Sequence, residues 1–157
     1  MAAITLGKAL KLKNRLAGRL AKVQADIQVF NSVPEGQAGQ VNVPALVQTR
    51  GELVEALVGL KTAINDANRA VQRDIYDLAE KKAAAQFLAG VNTRHGPQPA
   101  VYPGTTEVNY VAALKKADVD ALVAGLEKDI DQLQDRLDQF NHDHKIEVDS
   151  RILELAS

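Results

Sequence analysis

Apolar residues recur along three stretches of the chain at alternating spacings of three and four, the repeat of a helix with one buried stripe. In the most regular, from 117 to 144, Val119, Val123, Leu126, Ile130, Leu133, Leu137 and Phe140 form a seam that ends on His144. Near the start, Leu6, Ala9, Leu16, Leu20, Val23, Ile27 and Phe30 repeat the pattern, with Lys13 as its one polar breach. A seam lysine keeps its ammonium wet by snorkelling, and a polar seam residue can also set register or oligomeric state. Leu46, Leu53, Leu57, Leu60, Ile64, Ala67 and Val71 form a third seam, interrupted by Arg50. There Val47, Val54 and Val58 add a second apolar edge, wider than one partner helix needs. That width predicts burial on two sides and makes Val47, Val54 and Val58, with Lys13, the candidate oligomer interface.

The pattern predicts a mainly all-α single domain over 1–157. Long antiparallel helices at about 3–30, 44–72 and 117–143 form a bundle or coiled-coil core, with a short helix at about 75–89 and a loop at about 91–109. Pro34, Gly36 and Gly39 break the first helix, and Pro44 suits the first turn of the second. Asp74 and Asp77 are expected caps for the short helix, with Gly90 and Asn92 ending it. Strand-like alternation is confined to Val108–Leu114 and Lys145–Val148, with Val41–Val43 a fainter third. These pieces predict a minor β element, and the first two flank the last helix, so their pairing fits across subunits better than within one copy.

Composition sharpens this picture. Aromatic residues make up 4% and tryptophan is absent, so alanine, leucine and valine must build the core of closely packed helices. Formal net charge is −1, which gives no global field for nucleic acid or membrane. Locally, Lys8, Lys11, Lys13, Arg15, Arg19 and Lys22 precede a single acid, Asp26, whereas 117–149 carries ten carboxylates against Lys128, Arg136 and Lys145. The expectation is that the first and last helices are complementary neighbours, leaving no nucleic-acid partner. Cysteine is absent, which excludes disulfides and thiolate chemistry. No apolar run reaches the length of a membrane span, and Met1–Leu16 alternates leucine with lysine without the apolar core of a secretory signal. A cytoplasmic location is expected.

Candidate chemistry is sparse. His142, His144, Glu147 and Asp149 form the densest set of ligand types for Zn²⁺, Mn²⁺ or Fe²⁺. Residues two apart on a helix point about 200° from one another. A metal site on His142, His144 and Glu147 therefore requires the helix to end before His142, and metal binding there is one alternative reading. Arg94 and His95 sit in a loop rich in glycine and proline without the strand–turn–helix context of a phosphate loop. Asp129, Asp131, Asp135 and Asp138 read as a solvated acidic face. There is no Walker loop, dinucleotide fingerprint or nucleophile elbow, and no Glu-x-x-His pair of a di-iron bundle. No catalytic residue, no cofactor and no enzymatic activity are expected.

Several short motifs follow one another in a recognisable order. Leu10 to Leu20 carries Asn-Arg-Leu and Gly-Arg-Leu repeats, and Asn31 is followed by Pro34-Glu35-Gly36. Then come Ile64-Asn65-Asp66-Ala67-Asn68, Leu78-Ala79-Glu80-Lys81-Lys82 and the helix from Leu126-Glu127 to Asn141. In this order the chain resembles the small bacterial helical proteins labelled septicolysin-like, whose corresponding motifs read Ile-Asn-x-Thr-Asn and Leu-Ala-Glu-Arg. It departs from them in having His142 where a tryptophan commonly stands, and in a longer C-terminal tail. The resemblance implies long antiparallel helices with a smaller helical or β element, assembled as dimers and as a hexamer, and no established activity. The label itself names a thiol-activated pore-forming toxin. A membrane-active protein is thus a further alternative, requiring the basic first helix to unlatch and lie on lipid.

Overall fold

The computed structural model describes residues 1–99, 102–104 and 106–157, and the protein is mostly helical with two small antiparallel sheets. The elements run β1 (Ala2–Thr5), α1 (Leu6–Phe30), α2 (Val43–Asn68), α3 (Gln72–Ala89), β2 (Gly96–Gln98), β3 (Val108–Tyr110), α4 (Lys116–Asp143), β4 (Lys145–Val148) and α5 (Ser150–Leu155). Where one domain over 1–157 is expected, the packing gathers into two compact units, residues 1–70 with 138–157, and residues 71–137.

In the first unit, α1 packs on α2 through Leu6, Ala9, Leu12 and Leu16 against Leu53, Ala56, Leu57, Leu60 and Ile64. The seam expected on α1 changes in one detail. Leu12 takes the buried position and Lys13 is half-buried beside it, so the polar breach falls at the edge of the stripe. The seam expected on α2 is buried from Leu53 to Ala67. Asn42 opens α2 by accepting the N–H of Ala45 at 3.0 Å, one of the donors that a helix start leaves without an intrahelical partner.

The start of the chain differs from expectation. Ala2–Thr5 is a strand, and α1 begins at Leu6, because the Thr5 hydroxyl accepts the N–H of Lys8 and caps the helix there. β1 pairs antiparallel with β4, placing Ala2 opposite Val148, Ala3 opposite Glu147 and Ile4 opposite Ile146. Ile4, Ile146 and Val148 face the core while Lys145 and Glu147 face water, the period-two pattern of a half-buried strand. The strand expected at Lys145–Val148 therefore finds its partner within one copy. At the ribbon's end Gly7 lies so close to α4 that a Cβ there would stand 3.2 Å from the Asn141 carbonyl oxygen.

α5, not expected from the sequence, follows β4 and buries Ile152 and Ala156 against α2. Its final carbonyls are held by α1. Arg15 donates to the Ala156 oxygen at 3.0 Å, and Arg19 donates to those of Leu155 and Ser157 at 2.7 and 2.9 Å. These charged donors satisfy acceptors that every helix end leaves open. Arg19→Ala should weaken the first unit by about 1 kcal/mol and speed amide exchange over residues 152–157, as read by hydrogen-exchange mass spectrometry.

In the second unit, Leu78 of α3 meets Leu133 and Leu137 of α4, flanked by Val71, Ile75 and Ile130. α3 starts at Gln72, earlier than expected, directly after a 3-10 turn at Arg69–Val71. Asp74 and Asp77 therefore cap nothing. They pair instead with Arg136 at 3.3 Å and with Lys81 at 3.9 Å. The stretch expected as a loop over 91–109 contains β2, paired with β3 so that Gly96 faces Tyr110 and Gln98 faces Val108. Ala100, Val101 and Thr105 of that stretch lie outside the described residues. Gly96 has φ +85°, a conformation that only glycine adopts freely. The strand expected at Val108–Leu114 is shorter, ending at Tyr110, and Val41–Val43 forms no strand.

Candidate functional site

The valine edge of α2 is the expected site residue set that the structure leaves open. At 100° per residue, Val47, Val54 and Val58 fall within about 40° of one another. Val47 and Val58 are each 54% exposed and Val54 is half-buried. α1 therefore covers the leucine seam of α2 and not its valine edge. Beside that edge lies a groove between α2 and α5, lined by Gly51, Glu55, Ala56 and Gly59 on one side and by Arg151, Ile152 and Leu155 on the other. Its polar groups are largely engaged: Arg151 pairs with Glu52 at 3.1 Å, and Asp149 accepts the N–H of Arg151. Lys13 belongs to the same unit but sits on α1, half-buried at the edge of the helix's core stripe.

The histidine set does not come together. α4 continues through Asp143, so His142 stays on the helix, exposed, beside a groove lined by Thr5, Gly7, Lys8, Lys11, Asp138 and Asn141. His144 turns inward and stacks on Phe140, with ring centroids 4.7 Å apart and planes at 19°. Its carbonyl accepts the N–H of Leu6, which ties the end of α4 to the start of α1. Glu147 lies on the outer face of β4. Among the described residues, no three histidine, aspartate or glutamate side chains converge to hold a metal ion.

The other polar candidates are used locally. The His95 Nδ1 accepts the N–H of Ala112 at 3.2 Å, and the Arg94 guanidinium lies 5.9 Å from the centre of the Tyr110 ring. Both side chains brace the β2–β3 hairpin. Asp129 pairs with Lys81 at 3.2 Å, inside the second unit. No polar or charged side chain is buried among the described residues.

Large apolar side chains are instead exposed on both units. Tyr76 and Phe87 on α3 are 65% and 72% exposed, and Val108, Val111 and Leu114 add an apolar surface around β3. The sequence signalled only the valine edge of this set. Tyr76 and Phe87 lie off every seam and give no periodic signal.

No family model, no curated protein and no solved structure significantly matches this chain. Among the described residues, no helix is long and apolar enough to cross a membrane.

Proposed function

We propose that this protein is a non-enzymatic, self-assembling helical scaffold or interaction protein of the cytoplasm, built from long antiparallel helices in the septicolysin-like manner. The observation that carries this reading is the uncovered Val47–Val54–Val58 edge of α2. An apolar ridge on a well-packed helix pair marks a surface that another helix covers. The partner proposed is the chain itself, as dimers that build a hexamer. The small core of the second unit and its exposed Tyr76 and Phe87 favour the same reading, because a unit that buries little by itself gains stability from association.

Light scattering after size exclusion, over a concentration series, tests the proposal. A mass at an even multiple of the chain is expected, unchanged by chelator. Val47→Asp with Val58→Asp should lower that mass while leaving the helical circular dichroism intact. A monomer at every concentration would sink self-assembly, and a mass that falls with chelator would return attention to His142, His144 and Glu147.

A further inference from the structure

The valine edge of α2 has the spacing of one seam of a two-helix pair. Val47, Gly51, Val54 and Val58 recur at intervals of four, three and four, and at 100° per residue they share a sector of about 60°. Leu53, Leu57, Leu60 and Ile64, which pack beneath α1, are centred about 120° away. A further helix can therefore lie on the valine seam without displacing α1. A Cβ at Gly51 would meet nothing within 4 Å, so packing inside one copy does not explain a glycine that lowers helix stability there. On the seam, its missing side chain lets a second backbone come close. Lys61 occupies the next seam position and limits the apolar contact to about 17 Å of helix.

Opposite charges flank this seam. Arg50 lies about 40° beyond one side of it and Glu55 about 40° beyond the other. Both are exposed, and neither has a hydrogen bond or ion pair among the described residues. They stand about 140° apart around the helix, so they do not meet within one copy. Glu55 borders the groove between α2 and α5, where Arg151 is the one lining cation and is held by Glu52 at 3.1 Å. Asp149 lines the same groove, which therefore carries three carboxylates to one guanidinium and attracts a further cation.

We propose that α2 pairs in parallel with α2 of a second copy of this chain, about a twofold axis along the two helices, with Arg50 of each copy reaching Glu55 of the other. The proposal rests on the self-assembly reading above and gives the dimer its orientation. The seam alone admits both orientations, because intervals of four, three and four read the same in either direction. The charges choose between them. A twofold axis along the helices brings opposite flanks together. Arg50 then stands about 7.5 Å before Glu55 of the other copy, within reach of its side chain, as in the flanking ion pairs of coiled coils. A twofold axis perpendicular to the helices brings like flanks together. Arg50 would then face the Leu57 flank and Glu55 would face Gln48, so neither charge would meet its opposite. Contacts of this kind fix register and partner more than affinity.

The test uses unique thiols, since the chain has no cysteine, together with charge reversal. Val47→Cys alone and Val58→Cys alone should each give a disulfide-linked two-chain product under mild oxidation, because a parallel pair sets each seam position against itself. Arg50→Glu should raise the dissociation constant of the assembly at least about tenfold, as two like-charge contacts replace two attractive ones. Light scattering over a dilution series reads this, and circular dichroism checks that each variant keeps its helices. Arg50→Glu combined with Glu55→Arg should restore the parent constant. A covalent product that forms only when the Val47→Cys and Val58→Cys chains are mixed reports an antiparallel pair and overturns the proposal, while self-assembly stands. The same holds if the protein assembles and neither variant cross-links, or if the charge reversal is without effect or is not restored by the exchange. A monomer at every concentration overturns both readings.

Discussion

Leu60→Ala should destabilise the first unit by about 2–5 kcal/mol, the range for truncating a leucine in a close-packed core. Leu60 is fully buried, in the same cluster as Leu6 and Leu16 of α1, which are equally inaccessible. Removing its side chain deletes apolar contacts at a place where two helices constrain each other, so the cavity cannot close by a local shift. The measurement is urea unfolding followed by circular dichroism, read on the transition of the first unit. Val58→Ala, two residues away on the exposed edge, serves as the control and should stay within about 0.5 kcal/mol of the parent. Equal effects from the two would mean that the leucine seam is not what α1 covers.

The second large effect belongs to the ribbon. Val148→Asp should cost about 3–5 kcal/mol, the scale of leaving a charge buried without a partner. The chain's alternative is to detach the strand. Val148 is 3% exposed and sits opposite Ala2. Among the described residues no cationic side chain is buried to meet a carboxylate there. Glu147→Lys reverses a charge one residue away on the outer face, and should stay within about 0.5 kcal/mol of the parent. Hydrogen exchange distinguishes the two ways the protein can respond to Val148→Asp. Loss of amide protection at 2–5 and 145–148 alone reports detachment, whereas uniform loss across the first unit reports global destabilisation. Equal tolerance of Val148→Asp and Glu147→Lys would contradict the observed register.

The long helices were legible because their burial is periodic. Leu53, Leu57, Leu60 and Ile64 on α2, and Leu133 and Leu137 on α4, are buried in the structure as their spacing demands. Lys13 misled in part, since a seam traced by strict alternation passes through it, while the core is filled by Leu12 one residue earlier. Ala2–Thr5 gave no strand signal. Four residues with one large apolar side chain become a strand only because β4 lies beside them, and that partner is remote in the sequence. The clamp by Arg15 and Arg19 was equally hidden, because its acceptors are backbone carbonyls that every residue carries. Of the candidate sites, the valine edge was visible as surplus apolar width and remains open to solvent. The histidines were singled out by density alone, and the continuation of α4 through Asp143 keeps them apart.

The pairing of β1 with β4 also sets an order of events during synthesis. Ile4 and Leu6 are made well before Ile146, Val148 and Ile152, with which they share a core. The whole of 71–137 emerges between them and can compact by itself, so the inserted unit has the opportunity to fold before its host is complete. Closing a loop of this length carries an entropy cost that grows only with the logarithm of its size, but the search that precedes closure slows folding. Through that interval β1 has no strand partner and the core of α1 and α2 lacks Ile146, Val148 and Ile152, which leaves the newborn chain open to misassociation until β4 arrives.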